Sequence, residues 1–97
     1  AIELKRRGKE VYYWKDYQQR EVDFVIKEGL NVKELIQVCY DIEDLSTKNR
    51  ELRALIKASK ELKCKNLKVI TWDYEGREEF RNREIEFIPL WRWLLRI

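Results

Sequence analysis

Asp23 and Gln37, with Cys39 beside them, are the side chains whose type and spacing could do chemistry in this sequence. Asp23 lies inside the run Glu21-Val22-Asp23-Phe24-Val25-Ile26-Lys27. Gln37 and Cys39 lie inside Val32-Lys33-Glu34-Leu35-Ile36-Gln37-Val38-Cys39-Tyr40. A carboxylate can hold a hard cation such as Mg²⁺ through its oxygens. An amide offers only a neutral oxygen, and a thiol needs a base to make it a nucleophile. The sequence has no histidine, so Cys39 reads as a small buried apolar residue. With two separated cysteines, a structural zinc site is excluded.

The elements that must position these residues follow from periodicity. The two runs alternate apolar and polar residues around Glu28-Gly29-Leu30-Asn31, the pattern of a β-hairpin. A three-residue loop, Gly29 to Asn31, would pair Glu28 with Val32. Counting inward then sets Asp23 opposite Gln37 and Glu21 opposite Cys39, on one face; a two-residue or four-residue loop would set Asp23 opposite Ile36 or Val38 instead. Glu34 alternates to the other face and reads as structural or solvent-facing. Lys33 shares the face of Gln37 but sits at the strand start.

Upstream, Ile2-Glu3-Leu4-Lys5-Arg6-Arg7 before Gly8 reads as the end of a helix, basic at its C-terminus. The abrupt start at Ala1 in helix-like sequence leads us to expect further residues before it. Val11-Tyr12-Tyr13-Trp14 predicts a strand, so a three-strand meander comes first. Ser46 or Thr47 is expected to cap a helix from about Lys48 to Lys63. Leu52, Leu55, Ile56, Ser59 and Leu62 would share its buried face, with Arg50, Arg53, Lys57 and Lys60 opposite. Leu67 to Trp72 predicts a strand parallel to the 34–40 strand, joined by a right-handed crossover. Asp73 to Gly76 reads as a turn and Ile85 to Ile88 as a short strand. Pro89 opens a short terminal helix, with Trp72, Trp91 and Trp93 expected in the core and its lid. The fold class is α/β (α+β): a mixed sheet in the order helix, three-strand antiparallel meander, helix, strand, with a short C-terminal strand and helix.

The 97 residues make one domain, 1–97, with 44% hydrophobic and 40% charged residues. That composition excludes a disordered chain. No apolar run reaches the 18 residues or so that a membrane span needs. Two thiols in a charged chain of this kind point to a reducing, cytoplasmic setting. The net charge is +3. Residues 45–68 alone hold eight basic and two acidic side chains, so Arg50, Arg53, Lys57 and Lys60 are the candidate phosphate-tracking residues.

The order helix, three-strand meander, helix, strand resembles the core of the PD-(D/E)XK nuclease-like, or restriction-endonuclease-like, fold. In that superfamily an acid on the middle strand is followed, after a turn, by Glu-x-Lys on the next. The resemblance puts Asp23 at the middle-strand acid, Glu3 at a first-helix acid, and Gln37 and Cys39 at the Glu and Lys positions. Glu is thus Gln37 and Lys is Cys39, which implies a degenerate site. The phrases Tyr12-Tyr13-Trp14, Glu21-Val22-Asp23-Phe24-Val25, Glu34 through Tyr40, Arg50-Glu51-Leu52, Val69-Ile70-Thr71-Trp72-Asp73 and Ile88-Pro89-Leu90-Trp91 are similar to the C-terminal domain, of unknown function, of archaeal and bacterial AAA-type P-loop ATPases. That resemblance implies an upstream ATPase domain in the same chain. The stretch itself carries no Gly-x-x-x-x-Gly-Lys-Ser/Thr loop and is not expected to bind ATP.

The reading that follows is a non-catalytic recognition or interaction module of an AAA-type ATPase, with DNA as the candidate partner and no cofactor. One alternative is an active Mg²⁺-dependent DNA endonuclease, with Asp23 as metal ligand and Glu3 beside it. The other is a structural assembly domain that acts through the Trp-rich tail, in an oligomer or against a partner protein.

Overall fold

The computed structural model describes residues 10–18 and 20–96. The expected helix at residues 1–7, and Glu3 with it, lies outside the described residues. The elements are β1 (Glu10–Lys15), β2 (Glu21–Glu28), β3 (Asn31–Val38), α1 (Leu45–Leu62), β4 (Leu67–Thr71), β5 (Gly76–Phe80), β6 (Arg83–Pro89) and α2 (Leu90–Arg96). They build one six-stranded mixed sheet in the order β1-β2-β3-β4-β6-β5.

β1, β2 and β3 form the expected antiparallel meander, and β4 runs parallel to β3 across the α1 crossover. The hairpin loop corrects the sequence reading. It has two residues, Gly29 and Leu30, because Glu28 pairs with Asn31. Gly29 takes φ +65, the left-handed conformation wanted at the first central position of a II′ turn. A bulge between Ile26 and Lys27 then absorbs one residue of β3, and Ile26 pairs with Glu34 and Phe24 with Ile36. One step further along the same register, Asp23 stands opposite Gln37. The short loop and the bulge cancel, so the expected pairing holds for a different reason.

α1 starts three residues earlier than expected, because Asp44 rather than Ser46 or Thr47 is its cap: the Asp44 carboxylate accepts the Thr47 N–H at 3.1 Å. It ends at Lys63, whose φ of 55 is left-handed. Leu52, Leu55, Ile56 and Ser59 are buried as expected, with Ala54 and Ala58 filling in between. Leu52, Leu55, Ile56 and Ala58 pack with Val22, Val25, Leu35, Leu67, Val69, Ile85 and Phe87 on one face of the sheet. On the other face Ile26, Ile36, Ile70 and Ile88 pack against Trp93 of α2.

β5 is a strand that periodicity did not reveal. It pairs with β6 around Arg81 and Asn82, both at positive φ, a type I′ turn made without glycine. β6 runs parallel to β4, which places β5 at the sheet edge. The tryptophans also divide differently from expectation. Trp93 is buried, while Trp72 and Trp91 are 64% and 58% exposed, so neither belongs to the core. On the α2 face, Lys68 of β4 is buried between Glu34 of β3 and Glu86 of β6. Glu34 is therefore a structural ion-pair partner, in keeping with the sequence reading.

Candidate functional site

At the open end of the β2–β3 hairpin, side chains replace main-chain ladder bonds. Gln37 is fully buried. Its Oε1 accepts the Asp23 N–H at 3.0 Å, and its Nε2 donates to the Glu21 carbonyl at 2.7 Å. The same Nε2 lies 3.4 Å from the Glu51 carbonyl of α1. Asp23 reciprocates: its Oδ2 accepts the Val38 N–H at 2.8 Å. Asp23 and Gln37 thus meet, as their spacing implied, and each is spent on the other strand's backbone.

A cleft of about 640 Å³ opens beside this clamp, lined by Gln18, Arg20, Glu21, Asp23, Val38, Arg50, Glu51, Arg53 and Ala54. Three carboxylates and three guanidinium groups face it. Glu51 is pushed above the usual carboxylate range, first by burial and then by the charges of Asp23 and Glu21; Arg50, 3.6 Å away, opposes the rise. Tyr13 donates to Glu21, and that bond raises the phenol to about 12. Arg53 donates from Nε to the Asn49 carbonyl at 3.3 Å and is exposed, and the side chain of Arg50 is 71% exposed.

The basic face of α1 divides between two tasks. Arg50 and Arg53 line the cleft and Lys60 is exposed in the last turn. Lys57 instead folds onto the β1–β2 turn. Its Nζ lies 2.7 Å from Asp16 Oδ2 as an ion pair, 3.3 Å from Gln18 Oε1, and 5.1 Å from the Tyr17 ring centroid. Asp16 Oδ1 meanwhile accepts the N–H groups of Gln18 and Arg20. Burial disfavours the Asp16 carboxylate, but Lys57 and these two N–H groups outweigh it and hold its pKa below the ordinary value. Lys57 is therefore a turn anchor, and the four-residue basic set is not one surface.

Cys39 is buried, and burial first, then the charges of Glu51 and Asp41, push its thiol up. It stays protonated and unreactive near neutral pH. The donor set does not fit Mg²⁺ among the described residues. The Gln37 amide is used up on the main chain, Cys39 is a buried thiol, and one Asp23 oxygen holds a backbone N–H. No group of three or more Asp, Glu or Cys side chains among the described residues is arranged to hold a metal ion, although Glu21, Asp23 and Glu51 share the cleft.

Arg20, Glu21 and Glu51 were missed as site residues by sequence reasoning. For Glu51 a signal existed: it precedes the buried Leu52 and sits one turn before Leu55, at the border of the packed face of α1.

Residues 1–93 match the profile of a domain of unknown function, DUF4143. An uncharacterized protein of Methanocaldococcus jannaschii is 43% identical over 103 residues, an alignment covering 97% of this chain and 23% of that protein. The chain therefore spans less than a quarter of that relative's length. No solved structure matches the chain.

Proposed function

The chain belongs to the DUF4143 family, and from that premise we propose that it is a non-catalytic recognition module with a nuclease-like core, carried by a longer chain with an AAA-type ATPase. Its ligand is the phosphodiester backbone of DNA, met by Arg20, Arg50 and Arg53 at the cleft. The observation that carries this reading is the fate of Gln37. Where the nuclease resemblance calls for a metal-binding glutamate, an amide is fully buried and bonded to main chain of β2 and α1. A neutral, saturated group there holds the cleft open without supplying charge to a cation. The order of β1, β2, β3, α1 and β4 supports the nuclease-like architecture. The guanidinium groups support anion recognition, because planar guanidinium forks suit phosphate oxygens.

The test is fluorescence anisotropy of a labelled 20-base-pair duplex against the full-length protein over 50–200 mM salt, with Mg²⁺ present. Binding is expected to weaken as salt rises, and Arg50→Glu with Arg53→Glu to weaken it further and flatten the salt slope by about two. Absence of binding at 50 mM salt, or indifference to both substitutions, would overturn the reading. Metal-dependent strand cleavage that Asp23→Asn abolishes would replace it with the endonuclease alternative.

A second reading, protein assembly, rests on α2, where Trp91, Leu94 and Leu95 are 58%, 56% and 79% exposed. If the duplex does not bind, and Trp91→Ser with Leu95→Ser lowers the mass of the full-length protein's assembly in light scattering, that reading takes its place.

A further inference from the structure

We propose that a second pocket, at the carboxyl ends of β3 and β4, binds a cationic side chain, an arginine or lysine, presented by a basic segment of a partner polypeptide. The pocket is about 640 Å³ and is separate from the clamp. The loop after β3 supplies Tyr40, Asp41 and Glu43, and the loop after β4 supplies Trp72, Asp73 and Tyr74. Both loops leave the carboxyl ends of adjacent parallel strands.

Two features there are unexplained by folding. Tyr40 and Trp72 meet edge to face, ring centroids 6.2 Å apart at 87°, yet they remain 51% and 64% exposed. Large aromatic rings held against each other in solvent present π-faces without a core to fill. Around them stand Asp41, Glu43 and Asp73, none in an ion pair with a cation among the described residues. The nearby cations are taken: Lys48 by Glu78 at 2.9 Å, and Arg92 by Glu75.

The loops are held in place. The Thr71 hydroxyl donates to the Tyr74 carbonyl at 2.7 Å and accepts the Tyr74 N–H at 3.0 Å. Asp41 Oδ1 accepts the Glu43 N–H at 3.2 Å, and the Tyr74 ring lies edge-on to Phe87 at 5.3 Å.

Charge decides what can enter. A nucleic-acid base could stack on Trp72, but its phosphates would then meet three carboxylates at short range. A guanidinium or ammonium group gains from both the ring faces and the carboxylates. The pocket is broad and open, so an isolated small cation would leave much of its surface in water. A cation carried on a polypeptide brings the additional contacts needed for affinity. Charge complementarity thus selects a basic peptide over nucleic acid.

The probe is the peptide acetyl-Gly-Gly-Arg-Gly-Gly-amide, titrated into the full-length protein with ¹⁵N-labelled tryptophan and read by the Trp72 indole N–H resonance. The control is the same peptide with citrulline, which keeps the shape and loses the charge. A saturating shift with arginine is expected, with citrulline binding at least fivefold more weakly. Trp72→Ala, in uniformly ¹⁵N-labelled protein, should weaken the peptide about tenfold, read on the backbone resonances of residues 40–43. Asp41→Asn with Asp73→Asn should weaken it and flatten its salt dependence. Both sites are on the surface, so the variants keep the parent's melting temperature. Equal binding of the two peptides, an unmoved Trp72 resonance, or full affinity in Trp72→Ala would each overturn the proposal.

Discussion

Replacing Gln37 with glutamate changes one nitrogen to oxygen and tests the clamp directly. The Asp23 N–H, 3.0 Å from Oε1, keeps its acceptor. The Glu21 and Glu51 carbonyls, at 2.7 and 3.4 Å, lose their donor and face an oxygen instead. A buried carbonyl left without its donor costs about 1–3 kcal/mol. A negative charge at a fully buried position beside Asp23 costs more than that, but the carboxyl can take up a proton instead, which caps the cost at neutral pH at roughly 3–4 kcal/mol. At about 4–8 °C per kcal/mol for a domain of this size, Gln37→Glu should melt about 12–32 °C below the parent.

The pH dependence fixes the cause. The introduced carboxyl is harder to ionise in the fold than in the unfolded chain. The penalty is therefore full above its folded-state pKa and shrinks as pH falls towards the unfolded value of about 4.3. A protonated carboxyl can donate to the Glu21 carbonyl much as the amide does. Thermal melts of variant and parent from pH 8 to pH 4 should show the gap closing at the acid end, with 10 mM Mg²⁺ making no difference. A variant as stable as the parent at pH 8 would refute the clamp. Recovery by Mg²⁺ would show that the position can still ligate a metal.

Two other outcomes follow from the packing and the charges. Lys57→Ala removes the cation beside Asp16. The Asp16 pKa, held low in the fold, should rise in an NMR titration. A depressed carboxylate stabilises above its unfolded pKa and loses that contribution as pH falls through its folded value, so acid unfolding of Lys57→Ala should begin at higher pH. An unchanged Asp16 titration would show that the two backbone N–H groups suffice. Trp93→Ala should cost about 3–5 kcal/mol in urea unfolding, whereas Trp91→Ala, at an exposed position, should stay within about 0.5 kcal/mol. Equal losses would mean that α2 packs through both rings.

What could be read in the sequence is local. Alternation located β2 and β3, β-forming side chains marked β1 and β4, and Leu52, Leu55 and Ile56 marked the buried face of α1, because period follows directly from backbone geometry. The β5–β6 hairpin was hidden because its turn, Arg81-Asn82, reaches positive φ without glycine and its first strand is mostly charged. Lys57 gave no sign of its partner, since Asp16 is far away in the chain and meets it only after α1 crosses the sheet. Trp91 and Trp93 differ in burial although they stand two residues apart; which ring is covered depends on how α2 docks.

Asp23 and Gln37 divide in the same way. The sequence put Asp23 opposite Gln37 through a three-residue loop, and the pairing holds because a two-residue loop and a bulge cancel. Only tertiary structure decided what they do there. The Gln37 amide and one Asp23 oxygen are taken by main-chain groups of β2, β3 and α1, brought together by the packing of a helix against a sheet. A side chain's chemistry depends on which partners reach it first, and here the backbone does.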